Sequence, residues 1–326
     1  MAQTQADSYP RLVGDIGGTN ARFGWLQESG AAVTDVATLK AADHASLTDA
    51  VRRYLDQQGK QPPRWCAIGI ANPVVGDHVQ MTNHDWSFSI SDVQRQLGLA
   101  RFLVINDFTA LALALPALDP AELRQVGGGH AVAGTPLALL GPGTGLGVSG
   151  LLPAGSGHSA IPIEGEGGHV TLAASDEREE QVVRALRRRF GHASAERAVS
   201  GQGIVNLHAA LSELDGDAGP GLSAPEITER AAAGSDPRCV EVMDLFFGFL
   251  GTVAGNLALS LGSRGGLYVG GGIVPRLGDA IDRSRFRERF EDKGRFRAYL
   301  EQIPTFVVQA KVSPALLGAA RALEDL

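Results

Sequence analysis

The sequence predicts an α/β protein built of two similar lobes. Three observations carry that prediction. Short apolar runs of strand character alternate with amphipathic helical stretches. Two glycine-rich hairpins, "RLVGDIGGTNARFGWL" (11–26) and "LALLGPGTGLGVSGLL" (137–152), share one pattern: an apolar lead-in, a tight turn with Gly and Thr, and an apolar exit. The chain has 326 residues, more than the ~250–300 that one core ordinarily serves. Two such lobes would face each other across a cleft, each offering a glycine turn.

The elements follow in order. The first ten residues read as a frayed tail, followed by strands at Leu12–Gly14 and Arg22–Leu26. "HASLTDAVRRYLDQQG" reads as a helix with Leu47, Val51 and Leu55 on one face and Gly59 to end it. "WCAIGIAN" is a strand ending at Asn72-Pro73, and "SISDVQRQLGL" a helix starting near Ser91 or Asp92. "RFLVIN" is the next strand, and "FTALALALP" a helix stopped by Pro116. A second round begins near Thr135. "DEREEQVVRALRRRFG" is a helix with early acids and late arginines, matching the helix dipole. "LDGDAGPGL" (214–222) reads as a surface loop, "GLYVGGGIVPRL" as strand, triple glycine and helix, and "SPALLGAARALEDL" as a final helix. The apolar run 242–262 is long enough for a bilayer, but Asp244 and Asn256 interrupt it, so it reads as a buried core helix.

Composition narrows the function classes. A net charge of −7 argues against a general nucleic-acid binder. Cys66 and Cys239 are far apart and form neither a disulfide framework nor a metal-ligand spacing. A reducing, cytoplasmic setting follows most simply. The polar start "MAQTQADSYP" lacks the apolar stretch of a secretory signal, and no membrane association is expected.

The first glycine loop, Gly14–Asn20, is neither G-x-G-x-x-G nor a Walker sequence, and a strand follows it rather than a helix. Successive N–H groups in a tight turn nevertheless cradle anionic oxygens. The Thr19 hydroxyl can add a hydrogen bond, and Asp15 can hold Mg²⁺ directly or through water. Gly14, Gly17 and Gly18 would supply positive φ or close approach to a ligand. Taken alone, an ordinary hairpin explains this loop equally well. The second loop, Gly141–Gly147, carries four glycines where a hairpin needs one or two. The third, Gly270–Gly272, follows a strand and would let a base or ribose pack on backbone. Three such loops in two repeated lobes make a nucleotide-cleft pattern.

"INDF" places Asn106 and Asp107 at the carboxyl end of a strand, where ligands bind in open α/β sheets. A carboxylate there can accept the proton of an attacking hydroxyl. Capping of the next helix accounts for one of the two residues, not both. "GEGGH" sets Glu166 and His169 on a glycine turn, a donor and acceptor set suited to a polyhydroxyl ligand. His169 reads equally well as a satisfied buried histidine, and Glu196 as a helix-surface acid.

Eight segments, "VGDIGGTNARFGWL", "MTNHDWSFSI", "INDFTALALALP", "GPGTGLGVSGLL", "GEGGHV", "SAERAVSG", "GGGIVPR" and "FEDKGRF", occur in the order found in the bacterial glucokinases. The sequence resembles that family, within the superfamily of actin, the sugar kinases and the heat-shock chaperone ATPases. The likeness covers nearly the whole chain. It implies two ribonuclease H-like lobes of the actin-like ATPase fold flanking a nucleotide and sugar cleft. The first lobe would be 1–117 plus 313–326, the second 118–312.

The resemblance also implies an activity: transfer of the γ-phosphoryl of ATP to O6 of D-glucose, at the entry to glycolysis. Asp107 would be the catalytic base, and Asn106, Asp107, Glu166, His169 and Glu196 would bind the sugar. Asp15, Gly17, Gly18, Thr19 and Asn20 would form the first phosphate loop, and Gly143, Thr144 and Gly145 the second. Gly270, Gly271 and Gly272 would line the adenosine. Mg²⁺ would sit near Asp15 through water or phosphate, and a homodimer is expected. Related ROK kinases hold zinc in a cysteine-rich cluster that this sequence lacks, so no structural zinc is expected. Lys293 recurs in the family and reads here as a solvated loop charge. A kinase for mannose, fructose or an N-acetylated sugar is the nearest alternative. An ATPase module would lack "GEGGH", and a sugar-sensing regulator would need a DNA-binding segment before the first strand, where there is no room.

Overall fold

The computed structural model describes residues 8–155, 159–217, 221–310 and 312–324. These form two compact units. The first comprises Met1–Asp119, Ala154–Pro162 and Ala310–Leu326, the second Pro120–Pro153 and Ile163–Gln309.

The first unit holds strands β1 (Arg11–Ile16), β2 (Asn20–Leu26), β3 (Thr34–Lys40), β4 (Trp65–Ile70), β5 (His78–Gln80), β6 (Ser87–Ser89) and β7 (Arg101–Asn106). Five of them make a sheet in the order β3-β2-β1-β4-β7, while β5 and β6 pair as a separate ribbon. The glycine hairpin β1–β2 is antiparallel, and β4 and β7 continue the sheet in parallel. Alternation along β1 buries both faces. Leu12 and Ile16 pack with Phe23, Ile68 and Tyr54 on one side. Val13 packs with Ala67, Leu316 and Ala319 on the other. Each such large apolar side chain contributes about 1.5–3 kcal/mol when fully buried. The helix Asp107–Ala114 lies against Pro314–Ala322. A Cβ on Gly318 would stand 1.6 Å from the carbonyl oxygen of Ala110, so the helix backbones meet there with no room for a side chain.

The second sheet holds β8 (Leu123–Val126), β9 (Leu137–Pro142), β10 (Leu146–Leu152), β11 (Ile161–Ile163), β12 (Leu267–Val269) and β13 (Thr305–Val308), in the order β11-β10-β9-β12-β13-β8, all in the second unit except Ile161 and Pro162. The hairpin β9–β10 is antiparallel, and β12 and β13 follow β9 in parallel. The glycine hairpin thus occupies the same place in both sheets, and the internal repeat read from sequence is a repeat of topology.

The helix Pro237–Leu261 runs through the second core, burying Phe246, Phe249 and Leu250. It is long and apolar enough to cross a membrane by length and composition, yet 72% of its most apolar window is buried inside the protein. It is the core helix that the sequence predicts. Gly251 and Gly255 let the backbone at Phe286 and Phe290 approach closely.

Several boundaries differ from expectation. Residues 8–10 are not a frayed tail: Ser8 is buried and accepts from Arg11 Nη2 at 2.7 Å, while 1–7 lie outside the described residues. The second helix starts at Ile90 because the Ser89 hydroxyl, not Ser91 or Asp92, accepts from the N–H of Asp92. Of the loop 214–222, residues 218–220 lie outside the described residues and Leu214 ends a helix. Cys66 and Cys239 are free and buried, and burial pushes the Cys239 thiol up to about 11.

Candidate active site

Asp15 lies near the end of β1, directly across the hairpin from Arg22. Arg22 Nη1 donates to Asp15 Oδ2 at 3.0 Å, and the Ser313 hydroxyl donates to the same oxygen at 2.6 Å. A cation therefore does stand at this carboxylate, and it is a guanidinium. At the loop tip, the Gly17 N–H donates to the Asn20 carbonyl at 2.9 Å, and Thr19 and Asn20 are exposed. None of Gly14, Gly17 and Gly18 takes a positive φ. Gly14 is required by the Ile68 side chain and Gly18 by the backbone of Asn83, whose oxygen would stand 2.5 Å from an added Cβ. For these two, the close approach is to the protein itself.

Asn106 ends β7 and caps the helix Asp107–Ala114. Its Oδ1 accepts from the N–H groups of Phe108 at 2.9 Å and Thr109 at 3.3 Å. Its Nδ2 donates to the carbonyl of Asn72 at 3.3 Å, which fixes the amide's orientation. Asp107 is the first helical residue, half-buried, with Oδ1 2.9 Å from its neighbour's N–H at Phe108. The capping reading thus falls to Asn106, and Asp107 is a second polar group at the same strand end.

In the second unit, one residue joins three of the expected segments. The Leu146 N–H donates to Glu196 Oε2 at 2.9 Å. A Cβ on Gly168 would lie 2.1 Å from the Leu146 carbonyl oxygen, so the turn Gly167–His169 rests on β10 only because it is glycine. Glu166 and His169 flank that close contact, and both are exposed. The buried-histidine reading of His169 is therefore excluded. Glu196 lies on the short turn Ala195–Arg197, half-buried and tied to the glycine loop, not on a helix surface.

The second glycine loop closes on itself through the Gly143 N–H, which donates to the Gly145 carbonyl at 2.8 Å. The Gly143 carbonyl accepts from the N–H of Gly201, at the start of the helix Gly201–Leu214. Gly141 and Gly271 meet almost backbone to backbone: a Cβ on Gly271, whose φ is +75°, would stand 2.5 Å from the Pro142 oxygen. Gly143 differs from all of these. Its φ is ordinary and nothing lies within 4 Å of an added Cβ. The protein has no steric need for glycine there, and the bare backbone faces open space beside the exposed Thr144.

Sequence reasoning missed Arg22, Ser313 and the Leu146 backbone. Arg22 stood inside the first hairpin, and the register Asp15–Arg22 would have paired it. Lys293 is not a solvated charge. It is half-buried with its stem against Gly255, and desolvation beside Arg289 lowers its pKa, against the pull of Asp292 and Glu179. Among the described residues, no group of three or more His, Cys, Asp or Glu side chains is placed to hold a metal ion. Two open cavities of the second unit, about 460 and 710 Å³, include none of the site residues named above.

The family model described as Glucokinase matches residues 12–326. The chain belongs to the glucokinase family. It is 57% identical over 321 residues to a glucokinase of Aromatoleum aromaticum, covering 98% of this chain and 96% of that one. It is 51% identical to a glucokinase of Chromobacterium violaceum, covering 100% and 92%. A crystal structure of a glucokinase from an Antarctic psychrotroph superposes with a TM-score of 0.87 at 35% identity, covering 97% and 99%. A ROK family glucokinase from Streptomyces griseus, solved with glucose and AMPPNP, shares the fold with a TM-score of 0.63 at 21% identity. The twin sheets are therefore the actin-like ATPase fold of glucokinases and ROK sugar kinases, and this member of the glucokinase family is a sugar kinase.

Proposed function

We propose that this chain transfers the γ-phosphoryl group of ATP to the O6 hydroxyl of D-glucose, giving glucose 6-phosphate and ADP. Beside its family membership, the observation that carries the reading is the Asn106–Asp107 pair at the carboxyl end of β7. Asn106 accepts from the N–H groups of Phe108 and Thr109 at the helix start, and Asp107, whose Oδ1 shares the Phe108 N–H, brings a carboxylate to the same strand end.

In this reading Asp107 takes the proton as O6 attacks. The O6–phosphorus bond forms while the bond to the bridging oxygen of ADP breaks. Asn106, Glu166, His169 and Glu196 hold the sugar hydroxyls, offering both acceptors and donors. Positioning does most of the work in phosphoryl transfer, since little covalent chemistry falls to the protein. The phosphates lie on the loops Gly17–Asn20 and Gly143–Gly145. The open space at Gly143 supports this, because a ligand approaching bare backbone is the remaining reason for glycine there. Gly270–Gly272 lie against adenosine. Mg²⁺ would neutralise phosphate charge, and the lone carboxylate of Asp15 fits an ion that keeps several waters and its phosphate ligands.

The division 1–117 plus 313–326 against 118–312 is the functional one in this reading. A homodimer rests on the family resemblance alone. A cytoplasmic setting is supported by two isolated, buried thiols.

A coupled assay for sugar 6-phosphate tests the proposal, with ATP–Mg²⁺ and, separately, glucose, mannose, fructose and N-acetylglucosamine, plus a no-sugar control. Turnover that prefers glucose is the expected result. Preference for another sugar would change the substrate, and ADP release indifferent to sugar would remove the sugar roles of Glu166, His169 and Glu196.

A further inference from the structure

Ser313 occupies the N-cap position of the helix Pro314–Ala322, yet it makes no capping hydrogen bond. Ser46, Ser89, Ser200 and Ser223 hold the same position on other helices, and each accepts from the N–H three residues on. A serine at this position ordinarily stabilises the helix start by accepting one of its free N–H groups. The Ser313 hydroxyl donates instead to Asp15 Oδ2, 298 positions earlier in the chain. Arg22 donates to that same oxygen, and its Nε is held in turn by the Thr38 hydroxyl at 3.2 Å. Among the described residues no hydrogen bond reaches Asp15 Oδ1.

We propose that Ser313 and Arg22 are positioning residues that clamp Oδ2 of Asp15 and so present Oδ1 to the magnesium–phosphate group of the nucleotide. The inference rests on the nucleotide reading of Asp15 given above. A carboxylate held by one donor can rotate about its last bond and exchange its oxygens. Two donors converging on a single oxygen, from a strand partner and from a distant helix start, remove that freedom. Arg22 also balances the charge of Asp15, so the carboxylate adds direction to the site more than net charge. Ser313 adds a second tie between the helix Pro314–Ala322 and β1, beside the apolar packing of Leu316 and Ala319 on Val13: its N-cap residue reaches the phosphate loop.

The test is Mg–ADP affinity by titration calorimetry, without glucose, beside ADP affinity in EDTA. Ser313→Ala is expected to weaken Mg–ADP about tenfold, the scale of one charge-assisted hydrogen bond. It should leave metal-free ADP binding and the glucose KM unchanged. Ser313→Thr should restore Mg–ADP binding. Mg–ADP affinity within twofold of wild type in Ser313→Ala, with Asp15→Asn weakened, would overturn the clamp and leave the role of Asp15 standing. Unchanged Mg–ADP affinity in Asp15→Asn itself would remove that role and the clamp with it.

Discussion

The backbone N–H of Leu146 donates to the Glu196 carboxylate at 2.9 Å, and Gly145 leaves that carboxylate just enough space. An alanine at 145 would put its methyl 2.4 Å from Glu196 Oε2. The φ of Gly145 is ordinary, so the clash is the whole effect. Gly145→Ala should therefore act by pushing the carboxylate off Leu146. We expect kcat/KM for glucose to fall at least tenfold in Gly145→Ala and in Glu196→Ala, about 1.4 kcal/mol or more each. Glu196→Gln should lose less, because an amide oxygen still accepts from Leu146. In the Glu196→Ala background, Gly145→Ala should cost little further, a coupling read from the double-mutant cycle. Additive losses would show that the two residues act separately.

Gly143 and Gly318 should separate ligand glycines from packing glycines. Gly318→Ala forces a methyl into the Ala110 carbonyl, and overpacking of this kind costs about 3 kcal/mol or more. Thermal unfolding should show Tm lowered by ~6 °C or more. Gly143→Ala meets nothing in the protein. Its Tm should match wild type while its ATP KM rises about tenfold, the scale of one misplaced phosphate contact. An unchanged ATP KM in Gly143→Ala would mean that the nucleotide does not approach that backbone.

The repeat was legible because each lobe repeats a hairpin whose turn chemistry is unusual, and glycine spacing survives in sequence where apolar detail does not. The ends of elements were less legible. β3, "TDVATLK", was missed: all seven of its residues are exposed or half-exposed at the sheet edge, so no buried apolar period marks it. The candidate site was legible as residue types at element ends and turns, and Asn106, Asp107, Glu166 and Glu196 lie at such positions. Its supports were not. Ser313 reaches Asp15 across nearly the whole chain length, and only tertiary packing brings such a pair together. The glycines misled in one respect. Gly14 and Gly145 answer to the side chains of Ile68 and Glu196, and Gly18, Gly141 and Gly271 to neighbouring backbone, whereas Gly143, open and with an ordinary φ, speaks for a ligand.

Asn106 and Asp107 are adjacent and half-buried, but their substitutions should have opposite signatures. Asn106→Ala removes a cap that serves two N–H groups, so it should cost about 1 kcal/mol of stability as well as raising the glucose KM. Asp107→Asn preserves shape and should leave Tm and glucose affinity close to wild type. Its turnover should fall by ~10²–10⁴, the range for loss of a general base. Binding by calorimetry and kcat from the coupled assay separate the two. Near wild-type kcat in Asp107→Asn would end the catalytic-base assignment.

Lys293 gives a prediction in pH. Desolvation beside Arg289 holds its pKa below the ordinary 10.5. The unfolded chain thus binds this proton more tightly than the folded chain does. Between the lowered value and 10.5, the unfolded state carries more protons, and wild-type stability gains from this residue as pH rises. At neutral pH the charged ammonium is a burden on the fold. Lys293→Met keeps the stem that packs on Gly255 and removes that burden. Its Tm should exceed wild type at pH 7, and the difference should shrink as pH climbs toward 10.5. A difference that stays constant over that range would mean that the ammonium is as well solvated in the folded chain as in the unfolded one. The sequence reading of a free loop charge would then be restored.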